Sequence, residues 1–521
     1  KSLFIPVNST ITYKIKAGEK FSFSGYLGAF PGEALQYEIK ADGKTVLSQP
    51  VTTGLTYFCR EVTPSSTKKG TLIEIAVKNK DKNNGAGVLG NFTFFRKKEE
   101  KPKNFVFYLI DALRGDYGGL TEAKELFESH FKEGAIFKNA YANAAWTADS
   151  LAVIFSGKYK FSLVDDQVYH PNLAEEEFLL AEYMKGKGYA TAAFIANSFL
   201  VKNNSYQGFD FVYLCWKGKR DLSMFPSRIE YTAYKYGDME VFIRDFARQN
   251  RDKKLFIYIH TLEPHDPYEL PLEMRRYSRN IGIELLKSVY GKFKIFLKNP
   301  VPEQVETLKA LYRDEVPASY DFFEKTTGLF EQEGILSGNS LYLLTADHGE
   351  RFFEHGSWVH GRPDVYNEVL RIPFMMKGPG IKPGYYEKNV QLADIYPTVM
   401  DWLGDRKVGA IVGDSLLTYI HGKADNFNNR VIYADGTKHP FQYAYITGDI
   451  KIIIENDRNR VYDLSIDPGE TKNLAGEKRF SEMIKAARRF RGKFKKSSGK
   501  KDSGLNAEER ERLKSLGYID E

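Results

Sequence analysis

A chain of 521 residues is too long for one small core, so two or three domains are expected. With 42% hydrophobic and 27% charged residues and no run of roughly 18 apolar residues, it reads as a soluble globular protein with no transmembrane segment. The net charge of +7 mixes 75 basic with 68 acidic residues, which gives no footing for nucleic-acid-specific binding and favours anionic substrates modestly. Two cysteines, Cys59 and Cys215, supply neither a disulfide framework nor a cysteine metal site. The opening KSLFIPV carries no methionine and no signal or anchor segment, as expected of a mature or trimmed chain.

From residue 1 to about 98, apolar and polar residues alternate in short segments: ITYKIKA, KFSFSGYLGA, LQYEIKADGKTVLSQ, TLIEIAVKN and NFTFFRK. Turn signals at Asp42–Gly43 and Asn83–Gly87 separate them, and period-two alternation at this spacing predicts an N-terminal β-sandwich over 1–98. The charged run from Arg96 to Asn104 contains Pro102 and lacks periodicity, so a linker is placed at 99–104. FVFYLIDALRGD then starts a different pattern, a continuous apolar run ending in an aspartate, as a buried parallel strand would. ATAAFIAN, KLFIYIHTLEPH and SLYLLTADHGE repeat it, with helical stretches such as 172–188 between them. Strands alternating with helices predict a doubly wound α/β domain over 105–425. Beyond it, VIYADG, YAYITGDIKIIIEN and RVYDLS predict a small antiparallel sheet in a C-terminal α+β subdomain over 426–521. The basic run from Lys485 to Lys501 reads as a solvated helix face and loose linker, with contact to an anionic surface as its other reading.

Chemistry concentrates where the buried runs end. Asp111 closes the first run, and Asp347, His348 and Gly349 close the last. Open α/β sheets bind ligands at the carboxyl ends of their strands. A carboxylate beside an imidazole suits a cation there, although a strand-end aspartate also serves turns and caps. Of nine histidines, five fall in two strand-end segments: His260 and His265 in one, His348, His355 and His360 in the other. Imidazoles suit metals and anionic oxygens. AWTADSLAVIFSG (Ala145–Gly157) adds a hydroxyl, Thr147, at the start of an apolar stretch of helical length. Thr147 reads either as an N-cap for orphan N–H groups of the first turn or as a nucleophile.

Taken in order over most of residues 104–521, IDALRGDYGG, WTADSLAVIFSG, PHDPY, TADHGE, RIPFMMKGPG, ADIYPTVMDWLG, VYDLSIDPGETKNLA and LKSLGY resemble the landmarks of the sulfatase family of the alkaline phosphatase superfamily. The N-terminal sandwich lies outside the resemblance. The implied fold is an α/β, doubly wound mixed sheet flanked by helices. Carried onto this chain, the resemblance makes Asp111, Asp347 and His348 metal ligands. It puts Thr147 at the nucleophile position, aimed at the same ion, at a helix N-terminus that favours an incoming anion. His265 and His360 become candidates for phosphate binding and leaving-group protonation. Asn197 and His355 are further substrate-binding candidates, and Arg114 is expected to be structural.

Departures from the family pattern bear on the reaction. Sulfatases convert the cysteine or serine of the nucleophile motif, Cys-x-Pro-Ser-Arg in its cysteine form, into formylglycine, whose hydrate attacks sulfur. Oxidising Thr147 would give a ketone, and Asp149 and Leu151 stand in place of the proline and arginine, so no formylglycine is expected. The family's Gly-Lys-Trp-His segment has no counterpart around Asn197. A threonine nucleophile resembles the superfamily's phosphodiesterases and its phosphoethanolamine and phosphoglycerol transferases, which attack phosphorus. Ala112 replaces the second aspartate of the first strand end, and two Asp, one His and a Thr oxygen are few ligands for calcium. The set suits one divalent Zn²⁺, then Mn²⁺, with Ca²⁺ as an alternative and a second metal compatible with His265 and His360. The function expected is a secreted, periplasmic or cell-surface phosphodiesterase or phosphomonoesterase acting on a phosphorylated small molecule, glycan or lipid headgroup. Its rivals are a transferase to an envelope glycan or lipid, and a non-catalytic binding protein on a sulfatase scaffold.

Overall fold

The computed structural model describes residues 2–15, 21–29, 34–52, 54–63, 71–79, 86–95, 103–163, 172–214, 236–266, 268, 270, 272–282, 285, 300–360, 365–407, 410–423, 425–436 and 442–494. Most of the linker run, most of the Asn83–Gly87 turn, Cys215, residues 495–501 of the basic run and the closing LKSLGY lie outside the described residues. The chain divides into two compact units, Lys1–Pro102 with Ile243–Lys254, and Lys103–Phe242 with Leu255–Glu521.

In the first unit the strands are β1 (Ser2–Pro6), β2 (Ser9–Ile15), β3 (Phe21–Ala29), β4 (Leu35–Ala41), β5 (Lys44–Val51), β6 (Gly54–Val62), β7 (Thr71–Lys78) and β8 (Ala86–Phe95). They form two antiparallel sheets, ordered β1-β8-β3-β6 and β2-β7-β4-β5. Alternation sends Tyr37 and Ile39 of β4 and Ile73, Ile75 and Val77 of β7 inward, where they share one core with Ile5, Phe23, Leu27 and Leu89 of the other sheet. Asp42 and Gly43 take φ of 49° and 77° between β4 and β5, the left-handed pair that a two-residue hairpin requires.

The second unit begins with β9 (Phe105–Ile110), β10 (Ala135–Phe137), β11 (Ala140–Tyr141), β12 (Tyr189–Ile195), β13 (Phe211–Leu214), β14 (Lys254–Thr261), β15 (Leu341–Ala346), β16 (Arg371–Ile372), β17 (Phe374–Lys377), β18 (Gly384–Tyr386) and β19 (Val390–Gln391). Eight of these make the large sheet, ordered β13-β12-β14-β9-β15-β17-β10-β18, and β16-β11-β19 makes a small one. The four apolar runs of the sequence are therefore neighbours, and β14 and β15 flank β9 in parallel. The sheet is mixed because β17 runs antiparallel to β15 and β10.

Helices α1 (Thr121–His130), α2 (Thr147–Ser156), α3 (Leu180–Gly186) and α4 (Pro302–Gln332) accompany this sheet. Register sets Phe107 beside Tyr258 and Leu109 beside His260, so Phe107, Leu109, Asp111, Tyr258 and His260 belong to one face. That face meets α2, whose Phe155 packs edge-on against Tyr258 at 5.2 Å. Tyr108 belongs to the opposite face and meets Phe323 of α4 at 5.1 Å. Helices on both faces are what continuous apolar strands demand. The helix expected over 172–188 is shorter, starting at Leu180. Glu182 caps it by accepting the Leu179 N–H at 2.9 Å, and Glu177 is drawn out to pair with Lys158. The C-terminal sheet is the antiparallel meander β20 (Val431–Asp435), β21 (Gln442–Thr447), β22 (Ile450–Glu455) and β23 (Arg458–Asp463). Among the described residues no helix is long and apolar enough to cross a membrane.

Candidate active site

The helix cap is not the role of Thr147. Trp146, in extended backbone, occupies the N-cap position of α2, Thr147 is the first helical residue, and no side-chain capping bond forms. The buried Thr147 Oγ1 lies instead 3.1 Å from His348 Nε2. One turn further on, Ser150 donates its hydroxyl to the Asp347 carbonyl at 2.8 Å, tying the start of α2 to the loop after β15. Gly349 is needed in that loop, since a Cβ there would come within 2.2 Å of the Glu368 carbonyl oxygen. His348 donates from Nδ1 to the Gly349 carbonyl at 2.8 Å. Burial outweighs the opposing charge of Asp347 and holds its pKa below the ordinary value, so the ring is neutral and its Nε2 lone pair meets the Thr147 hydroxyl.

The two aspartates at the strand ends each keep one oxygen engaged and one bare. Asp111 Oδ2 accepts from Asn197 Nδ2 at 2.6 Å and His260 Nε2 at 3.1 Å, while the buried Oδ1 has no hydrogen-bond partner. Asp347 Oδ1 accepts the backbone N–H of Ala112 at 3.2 Å and of His348 at 2.9 Å, while the buried Oδ2 has none. Ala112 adopts a left-handed φ of 57°, and its carbonyl accepts from Tyr312 at 3.0 Å. His348 Nε2 is 3.4 Å from Asp347 Oδ2 and 3.7 Å from Asp111 Oδ1. Buried anionic oxygens without donors are costly unless a cation compensates them. Tetrahedral donors at bond lengths of ~2.1 Å sit roughly 3.4 Å apart, which these separations fit. Asp111, His260 and Asp347 also form a buried group whose potential ligand atoms lie within 4.8 Å of one another. Burial pushes the Asp111 carboxyl up, but the His265 charge and the His260 hydrogen bond outweigh it and hold it well below the usual range.

His265 and His360 stand against this cluster. Their rings are 4.6 Å apart, and the His360 ring stacks on His348 at 4.1 Å. His265 Nε2 is 4.0 Å from Asp111 Oδ1. Burial opposes protonation of His265, yet the carboxylates of Asp111 and Asp266 prevail and raise its pKa. His360 is pushed down to about 3 by burial and by the charge of His265. Its Nδ1 lies 3.0 Å from Glu350 Oε1, and burial, with Asp266 nearby, pushes the Glu350 carboxyl up to about 8. At neutral pH Glu350 is therefore the donor to His360 Nδ1, which leaves Nε2 of His360 as an N–H donor.

Two expected substrate contacts have other partners. Asn197 gives its amide to Asp111, and its Oδ1 accepts the Phe199 N–H at 2.9 Å, so it braces a strand-end carboxylate instead of facing a substrate. His355 lies with Nδ1 2.7 Å from Glu368 Oε1 and Nε2 3.3 Å from the Glu470 carbonyl, its ring stacked on Tyr366. Arg114 braces the same loop, reaching the Glu350 carbonyl and the carboxylates of Asp116 and Glu354. The polar partners that sequence reasoning left without roles are Tyr258, His260, Ser150 and Glu350. The available signal for the first two was a pair of polar residues two apart in an apolar strand.

The His355–Glu368 pair predicts a pH-dependent stability. Burial works against protonated His355, but the Glu368 hydrogen bond and charge outweigh it and raise its pKa. Its contribution is full below the unfolded value of about 6.5 and is lost as pH rises through the raised folded value. Glu368 is held low, against burial, by His355, so its share is present above the unfolded value and lost on acidification through the folded one. The Tm difference between wild type and His355→Gln should be greatest near pH 5–6.5 and shrink above it. A difference constant to pH 9 would show that the pair carries no charge.

Residues 103–405 match the family model described as Sulfatase, and residues 354–496 match the one described as N-sulphoglucosamine sulphohydrolase, C-terminal. The Delta 4,5-hexuronate-2-O-sulfatase of Bacteroides thetaiotaomicron is 26% identical over 160 residues, which are 28% of this chain and 32% of that protein. Arylsulfatase K of Xenopus laevis is 23% identical over 424 residues, 68% of this chain and 76% of its own. The first match thus spans about a third of its relative and the second about three quarters. The solved phosphonate monoester hydrolase of Agrobacterium radiobacter shares the fold with a TM-score of 0.57 at 16% identity, covering 75% of this chain and 95% of that one.

Proposed function

The chain belongs to the sulfatase family of the alkaline phosphatase superfamily, and we propose that it is a metal-dependent hydrolase of phosphoesters whose nucleophile is Thr147. The observation carrying this reading is the convergence of Thr147 Oγ1, His348 Nε2 and the bare oxygens of Asp111 and Asp347 at the N-terminus of α2. A divalent cation there, with zinc favoured by four protein donors, would supply the Lewis acidity that eases deprotonation of an alcohol and neutralises charge on phosphoryl oxygens. Thr147 gives its hydroxyl proton to water as Oγ1 bonds to phosphorus and the P–O bond to the in-line ester oxygen breaks, and the N–H groups of the first turn of α2 favour the anionic group. His265, drawn towards its protonated form, gives the leaving oxygen its proton. His360, kept neutral, offers an N–H to a phosphoryl oxygen. Water then bonds to phosphorus, giving a proton back to His265, and the Oγ1–P bond breaks, Thr147 regaining its proton from solvent. Support for phosphorus over sulfur comes from the residue itself, which has no route to formylglycine. The substrate proposed is a phosphorylated glycan, lipid headgroup or small molecule, in keeping with a net charge of +7.

The test pairs elemental analysis with turnover of bis-p-nitrophenyl phosphate, p-nitrophenyl phosphate and p-nitrophenyl sulfate. Stoichiometric zinc or manganese with cleavage of a phosphate ester is the expected result, lost on chelation and restored by the metal. Cleavage of the sulfate alone would sink the phosphoester reading. Metal without turnover in water would turn it into a transferase awaiting an acceptor alcohol.

A further inference from the structure

Asp111 Oδ2 faces His260 Nε2 at 3.1 Å, and behind that ring Tyr258 Oη lies 3.0 Å from His260 Nδ1. All three side chains are fully buried and belong to the α2 face of the sheet. An ionised carboxylate needs a donor, so the His260 proton sits on Nε2, and Nδ1 accepts from the Tyr258 hydroxyl. Burial, with Asp347 and Asp111 nearby, keeps that phenol protonated and thus a donor. Asn197 Nδ2, at 2.6 Å, completes the donors on the same oxygen. Rotating the carboxylate or making it bidentate would break these bonds.

We propose that His260, fixed by Tyr258, is a positioning residue that commits Asp111 to the cation through Oδ1 alone and is not itself a ligand. The proposal rests on the metal reading above. Partners that orient a ligating side chain typically change metal affinity 10–100-fold when removed. His260 lies close enough to Asp347 for direct ligation to be the competing arrangement. The two arrangements separate on substitution. A glutamine at position 260 retains an amide N–H reaching as far as Nε2 but lacks the imidazole lone pair.

The experiment is equilibrium dialysis of the full chain against Zn²⁺ and Mn²⁺, read by elemental analysis with no assay of activity. His260→Leu is expected to raise the Kd by roughly 10–100-fold, His260→Gln to stay close to wild type, and Tyr258→Phe to weaken binding by less than His260→Leu. Wild-type affinity in His260→Leu overturns the proposal. So does a loss in His260→Gln as large as in His260→Leu, which would make the imidazole a ligand. If His260→Leu fails to fold, Tyr258→Phe, which removes one oxygen, decides, and unchanged affinity there sinks the relay. Wild type that binds neither metal would instead overturn the metal reading, and this proposal with it.

Discussion

Thr147→Ala is expected to lower kcat for the phosphoester by ~10⁴-fold or more, since removing a nucleophile leaves only binding and electrostatic stabilisation to act on a water attack. Thr147→Ser keeps a primary hydroxyl at the same helix position and should retain substantial turnover. The alanine variant has lost one oxygen beside His348 but none of the contacts of Ser150, Asp111 or Asp347, so its fold and much of its metal content should persist. A phosphoenzyme trapped at low pH and mapped to the peptide of Ala145–Gly157 would identify the nucleophile directly. Full activity in Thr147→Ala would remove the basis of the proposed mechanism.

The largest stability effect is expected from Lys160→Met. Lys160 Nζ meets Asp149 Oδ2 at 2.8 Å, both side chains are buried, and Asp149 belongs to the first turn of α2. Burial raises the Asp149 pKa and Lys160 only partly offsets that. Breaking a buried pair by removing one partner typically costs about 3–5 kcal/mol, because the other charge stays uncompensated. A pair of apolar residues of similar volume, as in Lys160→Met with Asp149→Leu, should recover most of the loss. Calorimetric midpoints of the two variants decide the matter. A single variant as stable as wild type would mean that water reaches Asp149.

What could be read from the sequence followed from how each element meets solvent. β9, β12, β14 and β15 are buried on both faces, so they appeared as unbroken apolar runs, and their polar ends marked the site. The sandwich strands alternated because one face of each sheet is covered. Two-residue strands such as Ala140–Tyr141 have no period to detect, and the Glu182 cap on the Leu179 N–H starts α3 later than its composition suggested. Within the site, residue types were legible but the allocation of individual oxygens was not. Asn197 looked available until β12 and β9 were brought together and its amide met Asp111, 86 positions away. His355 was grouped with His360 by proximity in sequence, yet a salt link to Glu368 holds it in a separate cluster. Glu350 follows Gly349 immediately, but only tertiary contact with His360 gives its buried carboxyl a role.

The brace between Ser150 and the Asp347 carbonyl bears on how this scaffold can change. Successive helical residues turn by about 100°, so positions 147 and 150 share one face, and a register slip by one residue would displace both hydroxyls together. The side chain at 147 makes no structural capping bond, whereas the one at 150 anchors the helix to the loop of a neighbouring strand. If Thr147 is the nucleophile proposed above, substitution there alters the kind of bond attacked while the surrounding backbone stays put. Loss of the hydroxyl at 150 would loosen every group that depends on that alignment at once. On the proposed mechanism, reaction type and architecture are thereby uncoupled within a single turn of helix, and the attacking group can differ while the core stays the same.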